Sequence, residues 1–187
     1  QLARKLARLV RESGFQPDMI VAIGRGGYLP ARILSDHLAI FDLTSIKVEH
    51  YHGVHKERVA KVRYPLTAQT AGKRVLLVDD VSDSGDTFET AIRHLRERGG
   101  PAQLRTAVLH HKRISSFVPD YYVEEVVEWR WIIYPWAVIE DLTSFLLRAT
   151  MLGARRRFLA SRCSTYCRVR VRAPRVVNST GHGTWPP

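Results

Sequence analysis

One apolar run that ends in two adjacent carboxylates constrains this chain most. In RVLLVDDVSDSGDTFETAIRHLRERGG, residues 74–100, the apolar residues predict a buried strand that Asp79 and Asp80 follow directly. Asp is a poor strand former, and an unpaired buried charge is costly. We therefore expect a ligand or a counter-charge at this strand end. The small polar residues 83–87 then lead into a helix predicted over residues 87–98.

The rest of the chain alternates between helix-like and strand-like segments. Periodicity predicts helices over residues 2–12, 28–38 and 137–147, and strands over residues 18–23, 44–51, 103–110 and 121–127. Polar residues 52–63 predict a mobile loop or an irregular hairpin. Strands that alternate with helices are typical of the α/β class, so we predict a mostly parallel twisted sheet flanked by helices.

Length and composition are ordinary for one soluble domain. The chain has 187 residues, of which 45% are hydrophobic and 25% charged. It has no apolar run of about 18 residues, so we expect no membrane span. The first residues, QLARKLARLV, are too polar for a secretory signal. The only cysteines are Cys163 and Cys167, which favours a reducing, cytoplasmic setting.

The net charge of +11 is concentrated at the end of the chain. Residues 148–187 hold nine Arg and no Lys, Asp or Glu, so the other 20 basic residues nearly balance the 18 acidic ones. We predict one domain over residues 1–147 and an Arg-rich, disordered tail over residues 148–187. A nucleic-acid-binding arm is the less favoured alternative for the tail, since clustered Arg can neutralise phosphates.

The strand end and the following loop together indicate the kind of ligand. In an open α/β sheet, ligands bind at the carboxyl ends of strands, and a helix N-terminus holds phosphate well. Ser84, Gly85 and Thr87 suit such a phosphate cradle. Asp79 and Asp80 would repel a phosphate, so they are expected to face hydroxyls or a metal ion. A phosphorylated ribose has both parts.

VLLVDDVSDSGDT resembles the signature of the type I phosphoribosyltransferases, which bind 5-phosphoribosyl 1-diphosphate. The resemblance implies that Asp79 and Asp80 contact the ribose hydroxyls or the associated Mg²⁺, directly or through water. It also implies that Asp83 is the general base toward the purine N7 proton. The donor's 5-phosphate would be bound by the loop residues Asp83, Ser84, Gly85, Asp86 and Thr87. An ordinary acidic turn is the alternative.

A second segment, IVAIGRGGYLPA, resembles the pyrophosphate loop of the same family. The resemblance implies that Arg25 offsets the charge on the leaving pyrophosphate, as a catalytic and donor-binding residue. It implies that Gly24, Gly26 and Gly27 belong to the donor site as well. The bond between Gly24 and Arg25 is a candidate cis peptide bond, as in many family members.

The acceptor is indicated by VLHHK (108–112) and WRWIIYPW (129–136), which resemble the xanthine–guanine branch of the family. The resemblance implies that Lys112 faces the purine 6-oxo group, that Trp131 stacks on the base and that Ile132 contacts the base edge. An ammonium donates to an oxo group but repels an amino group, which favours hypoxanthine, guanine or xanthine over adenine. The alternative for each tryptophan is a place in the core or an interface.

These base-binding residues fall in a small hood, expected at about residues 110–140. Ala137 departs from the branch, which has an acid there, so discrimination at the purine 2-position is open. Glu140 and Asp141 could compensate, or they could cap a helix or face solvent. The polar segment 51–64 corresponds to the family's closing loop, whose cations Lys56, Arg58, Lys61 and Arg63 could reach pyrophosphate.

The resemblance implies an Mg²⁺-dependent purine-salvage enzyme that makes a nucleoside monophosphate and pyrophosphate and acts as a homo-oligomer. A regulator that senses the donor or purines without catalysis is the main alternative, and an enzyme with a non-purine acceptor is another. His50 and His52 share a strand face, but two ligands alone are a weak metal signal.

Overall fold

A computed structural model describes residues 1–52 and 58–151 of the chain. The helices are α1 (Leu2–Glu12), α2 (Tyr28–Leu38), α3 (Asp86–Glu97) and α4 (Val138–Met151). The strands are β1 (Met19–Gly24), β2 (Leu43–His52), β3 (Arg58–Tyr64), β4 (Arg74–Val78), β5 (Val81–Ser82), β6 (Gln103–Lys112) and β7 (Tyr121–Val126).

The strands form one mixed sheet that is mostly parallel. β1 lies at its centre between β2 and β4, and β6 continues the sheet beside β4. β7 pairs in parallel with β6, and the two-residue β5 also pairs with it. Among the strands of the described residues, only β2 and β3 pair as antiparallel neighbours. This architecture confirms the predicted α/β class.

Two hydrophobic clusters cover the two faces of the sheet. β1 is buried on both faces, so its alternate residues enter different clusters. Ile20 packs with Leu6 of α1 and Leu34 of α2, whereas Val21 packs with Phe88 of α3. α1 and α2 thus bury their apolar faces on one side of the sheet and α3 on the other. Because β1 and β4 are parallel neighbours, their carboxyl ends lie at the same edge.

The predicted elements agree closely with those observed. Of the polar segment 52–63, residues 52 and 58–63 lie in the antiparallel strands β2 and β3, which agrees with the irregular hairpin, one of the two predicted alternatives. Arg58, Lys61 and Arg63 lie in β3. Lys56 lies outside the described residues. β5 was missed because two residues carry no periodic pattern. It forms where the chain after Asp80 returns to β6.

The chain divides into two compact units, Gln1–Val138 and Ile139–Pro187. Of the second unit, the structure describes residues 139–151, which belong to α4. The Arg-rich tail beyond them, including Cys163 and Cys167, lies outside the described residues, so its disorder and the boundary at residue 147 stay predictions. In the described ranges, every helix is too short or too polar to cross a membrane.

Candidate active site

The two carboxylates lie where β4 ends, held by main-chain hydrogen bonds. The amide of Asp79 donates to the carbonyl of Ala107 at 3.1 Å, and the amide of Asp80 donates to Oδ1 of Asp79 at 2.9 Å. The carbonyl of Asp80 accepts from the amides of Leu109 and His110 at 3.1 and 3.2 Å. β6 therefore fixes the acid pair in place.

Burial dominates the electrostatics of this pair. Asp79 is 8% exposed, and burial followed by repulsion from Asp80 raises the pKa of its carboxyl well above the ordinary value. Burial also raises the pKa of Asp80, against the opposing hydrogen bond that its Oδ2 accepts from Nε1 of Trp136. A cation or hydroxyl donors beside the pair would offset this cost.

The donor set of the pair suits magnesium. Mg²⁺ prefers oxygen ligands and is commonly held by one or two carboxylates, with waters and substrate phosphates completing its shell. Over residues 1–52 and 58–151, no group of three or more His, Cys, Asp or Glu side chains is arranged to hold a metal. Asp79 and Asp80 thus match the one or two carboxylates that commonly hold Mg²⁺ together with substrate phosphates.

The loop after β1 packs directly against the acid pair. The peptide bond between Gly24 and Arg25 is cis, as the resemblance implied. A Cβ at Gly26 would lie 2.5 Å from Oδ1 of Asp80, so only glycine allows the carboxylate this close. A Cβ at Gly27 would collide with the carbonyl of Val78. The structure thus brings the two motifs of the sequence together.

The amide of Gly27 in this loop donates to the carbonyl of Ile23 at 2.9 Å. Gly27 is buried, whereas Arg25 is exposed and Gly26 is partly exposed. Gly27 therefore packs closely against β1 and β4, and its place in the donor site stays a prediction.

The predicted phosphate loop leads into α3. Gly85 is its N-cap residue with φ of 101°, in the left-handed region that favours glycine, and no side chain of the described residues caps this helix start. The hydroxyl of Ser84 donates to Oδ2 of Asp86 at 3.0 Å. The hydroxyl of Thr87 lies 3.0 Å from Nε2 of His50. The uncapped amides of the first turn suit an anion.

The segment after β6 braces this loop, which the sequence did not predict. Ser116 donates to the carbonyl of Ser84 from both its amide, at 3.0 Å, and its hydroxyl, at 2.9 Å. The hydroxyls of Ser82 and Ser115 lie 2.8 Å apart and are buried. These pairs are more than 30 residues apart in sequence, and no local pattern indicates them.

Lys112 and Asp83 form an ion pair beside the acid pair. Nζ of Lys112 lies 2.9 Å from Oδ1 of Asp83, and the lysine side chain is only 4% exposed, whereas that of Asp83 is 47% exposed. The pairing of β5 with β6 brings them together, since Lys112 ends β6 and Asp83 follows β5. A donor and an acceptor thus lie side by side, with the acceptor open to solvent.

An aromatic residue of the hood contacts Lys112. The ring that lies over Nζ of Lys112, at 4.7 Å, belongs to Trp129. Trp131 is 44% exposed and meets Trp129 edge-on, with ring centroids 6.3 Å apart. Ile132 packs partly buried against the core. That Trp131 and Ile132 contact the base stays a prediction. Compensation for Ala137 by Glu140 or Asp141 also stays a prediction.

The match to known proteins agrees with this geometry. The model of the phosphoribosyl transferase domain matches residues 1–140. The xanthine-guanine phosphoribosyltransferase of Gluconobacter oxydans is 36% identical over 138 residues, which are 72% of this chain and 77% of that protein. The protein of the same name from Cereibacter sphaeroides is 32% identical over 118 residues, which are 63% and 67% of the two chains.

A solved structure agrees as well. The crystal structure of a purine phosphoribosyltransferase from Pyrococcus horikoshii has 36% sequence identity and a TM-score of 0.64, and the match covers 72% of this chain and 85% of that one. The chain therefore belongs to the phosphoribosyltransferase family, as its two motifs predicted.

Proposed function

We propose that this protein transfers the 5-phosphoribosyl group from 5-phosphoribosyl 1-diphosphate to N9 of a 6-oxopurine, giving a nucleoside monophosphate and pyrophosphate in purine salvage. The observation that carries the proposal is the Lys112–Asp83 pair, 2.9 Å across, beside the buried acid pair. The names of the two curated relatives and of the Pyrococcus structure support it.

The ion pair suits the edge of a 6-oxopurine. O6 of the purine accepts a hydrogen bond, and in the N7–H tautomer the neighbouring N7 donates one. Lys112 would donate to O6 while Asp83 accepts from N7. Adenine presents an amino group in place of O6, and the ammonium of Lys112 has no lone pair to receive it. The pair therefore selects an oxopurine and orients it in one step.

Asp83 is also placed to receive the proton that the reaction releases. The electron pair of the breaking C1–O bond leaves with pyrophosphate, and the lone pair of N9 forms the new bond to C1. The purine then loses its N7 proton, which Asp83 accepts as general base. Its side chain is half exposed, so the carboxylate is accessible to a bound base.

The donor would lie along the edge formed by the loops after β1 and β4. Asp79 and Asp80 would face the ribose hydroxyls, and the first turn of α3, with Ser84 and Thr87, would bind the 5-phosphate. Arg25 would offset charge on the leaving pyrophosphate. Mg²⁺ bound at the acid pair would supply further neutralisation of the donor's phosphates.

Product analysis tests this proposal. The protein is incubated with the donor and Mg²⁺, and with hypoxanthine, guanine, xanthine or adenine in turn, and pyrophosphate and nucleotide are quantified. We expect one pyrophosphate per nucleoside monophosphate with oxopurines, and strong loss of turnover in Asp83→Asn. Donor binding without turnover of any base would contradict the enzyme proposal and would indicate a donor-sensing regulator.

Three further expectations belong to the same proposal. We expect the enzyme to require Mg²⁺, to assemble as a homo-oligomer and to act in the cytoplasm. Chelation of the metal should abolish turnover, and light scattering should give a mass above that of the 21.4 kDa chain. A monomer with full activity in the presence of a chelator would contradict the first two.

A further inference from the structure

The segment that carries Trp131 and Ile132 also contacts the acid pair. The hydroxyl of Tyr134 donates to the main-chain carbonyl of Asp80 at 2.9 Å, and Nε1 of Trp136 donates to its Oδ2 at 3.3 Å. The rings of Tyr134 and Trp136 stack with centroids 4.8 Å apart and an interplanar angle of 13°. One acidic residue is thus held at its backbone and its side chain by two neighbouring aromatics.

The tyrosine is itself held firmly. Its residue is only 7% exposed, and its hydroxyl lies 2.8 Å from Nδ1 of His110, a buried residue of β6. Nε2 of His110 lies 3.3 Å from a carboxylate oxygen of Glu124 on β7. A chain of polar contacts therefore runs from the edge of the sheet through His110 and Tyr134 to Asp80.

We propose that Tyr134 and Trp136 are positioning residues that orient Asp80 toward the ribose of the donor. The inference rests on the proposed function, because it concerns the donor of that reaction. The hydrogen bond to Oδ2 limits rotation of the carboxylate, whose two oxygens both lie against Gly26. Since the same short segment carries the predicted purine contacts, the hood connects the purine subsite to the ribose subsite.

Titration calorimetry of the Mg²⁺-loaded donor tests this directly, without a purine. Trp136→Phe removes the indole donor, and Tyr134→Phe removes only a hydroxyl. We expect each to weaken donor binding roughly fivefold to tenfold, because the loss of one hydrogen bond has an effect of that order. In steady-state assays the donor KM should rise by a similar factor, while the KM for hypoxanthine stays within about twofold.

Tyr121→Phe is the matched control. It also removes a hydrogen-bonded tyrosine hydroxyl, here 2.8 Å from Oγ of Ser13, away from the acid pair. We expect its donor affinity to equal that of the wild type. Equal losses in Tyr121→Phe and Tyr134→Phe would overturn the inference, because they would reflect general destabilisation.

A double-mutant cycle separates positioning from packing. If Trp136 acts through the carboxylate of Asp80, Trp136→Phe should change donor affinity by less than about twofold in an Asp80→Ala background, which lacks any side-chain acceptor. If Trp136→Phe weakens donor binding by the same factor with Asp80 present and with Asp80 substituted, the inference is overturned. The wild type distinguishes the two proposals: no donor binding by it would overturn the proposed function, whereas wild-type binding with unaffected variants would overturn only the positioning role.

Discussion

The two halves of the proposed site, the donor half around Asp79 and Asp80 and the base half around Lys112, are built differently. Around Asp79 and Asp80, shape is set by buried main chain and by glycines such as Gly26 and Gly27 that admit no side chain. Around Lys112, the shape of the site is set by large side chains, and the exposed rings of Trp129 and Trp131 meet edge-on. We infer that substitutions in the donor half affect folding and catalysis together, whereas those in the base half mainly affect specificity.

Asp83 lies at the boundary of the two halves, and its loss should have the largest effect. Asp83→Asn keeps the side-chain size but cannot accept the N7 proton as a carboxylate does. We expect kcat with hypoxanthine to fall by about 10²–10⁴. Steady-state kinetics measure this. The control is Asp42→Asn, which breaks an exposed ion pair with Lys73 at 2.8 Å, and it should leave kcat unchanged.

Lys112 tests whether the base half governs specificity. Lys112→Met keeps an unbranched apolar stem and removes the ammonium that is expected to donate to O6. We expect kcat/KM for hypoxanthine to fall about 10²-fold, because a polar group of the substrate is left unpaired. The value for adenine should fall far less. Lys73→Met, at the other end of the exposed control pair, should change neither.

Gly27 tests whether the donor half depends on backbone packing. Gly27→Ala places a Cβ against the carbonyl of Val78 and the backbone of Ile23, so the backbone of the loop or of these strands must shift. We expect a loss of about 2–3 kcal/mol in unfolding free energy, measured by urea denaturation. In Gly100→Ala the nearest atom would lie 3.7 Å away, and stability should be nearly unchanged. Equal losses would contradict the packing account.

Trp131 sharpens the comparison within the base half. Trp131→Ala removes the indole that is expected to stack on the purine, which contributes about 1–3 kcal/mol per base. The KM for hypoxanthine should rise by between about fivefold and 150-fold, while the donor KM changes less than twofold and the melting temperature stays the same. If the melting temperature falls sharply and the purine KM does not rise, Trp131 is a structural aromatic.

The dependence of folding stability on acidic pH tests a contact of the sheet away from the site, between Asp18 and Arg74. The carboxylate of Asp18 accepts hydrogen bonds from Arg74 at the start of β4, and these lower its pKa from 3.8 to about 2. A lowered pKa in the folded state stabilises the fold above pH 3.8, and this contribution is lost as the pH falls toward 2. Asp18→Asn should therefore reduce stability at neutral pH and flatten its dependence on pH between 4 and 2.

The two halves also differ in how far the sequence predicts them. The donor half is encoded in two runs of consecutive residues, so Asp79, Asp80 and the glycine loop were predicted to share one site, and the structure places them in contact. The sheet and its helices were predicted because their hydrophobic periods are long. The family assignment and the α/β class are confirmed.

The base half depends on contacts between segments far apart in sequence. Trp129 lies over Lys112, and Tyr134 reaches Asp80 across 54 positions of the chain. A run of aromatic residues does not indicate which ring meets which partner, because that depends on how the hood folds back over β6. The bracing of Ser84 by Ser116 was missed for the same reason.

The most direct test of the account is the ratio of kcat/KM for hypoxanthine to kcat/KM for adenine, measured with the full chain, the donor and Mg²⁺. The Lys112–Asp83 pair predicts a preference for hypoxanthine of at least about 100-fold. Equal turnover of the two bases, or a preference for adenine, would contradict the central claim that this pair selects a 6-oxopurine.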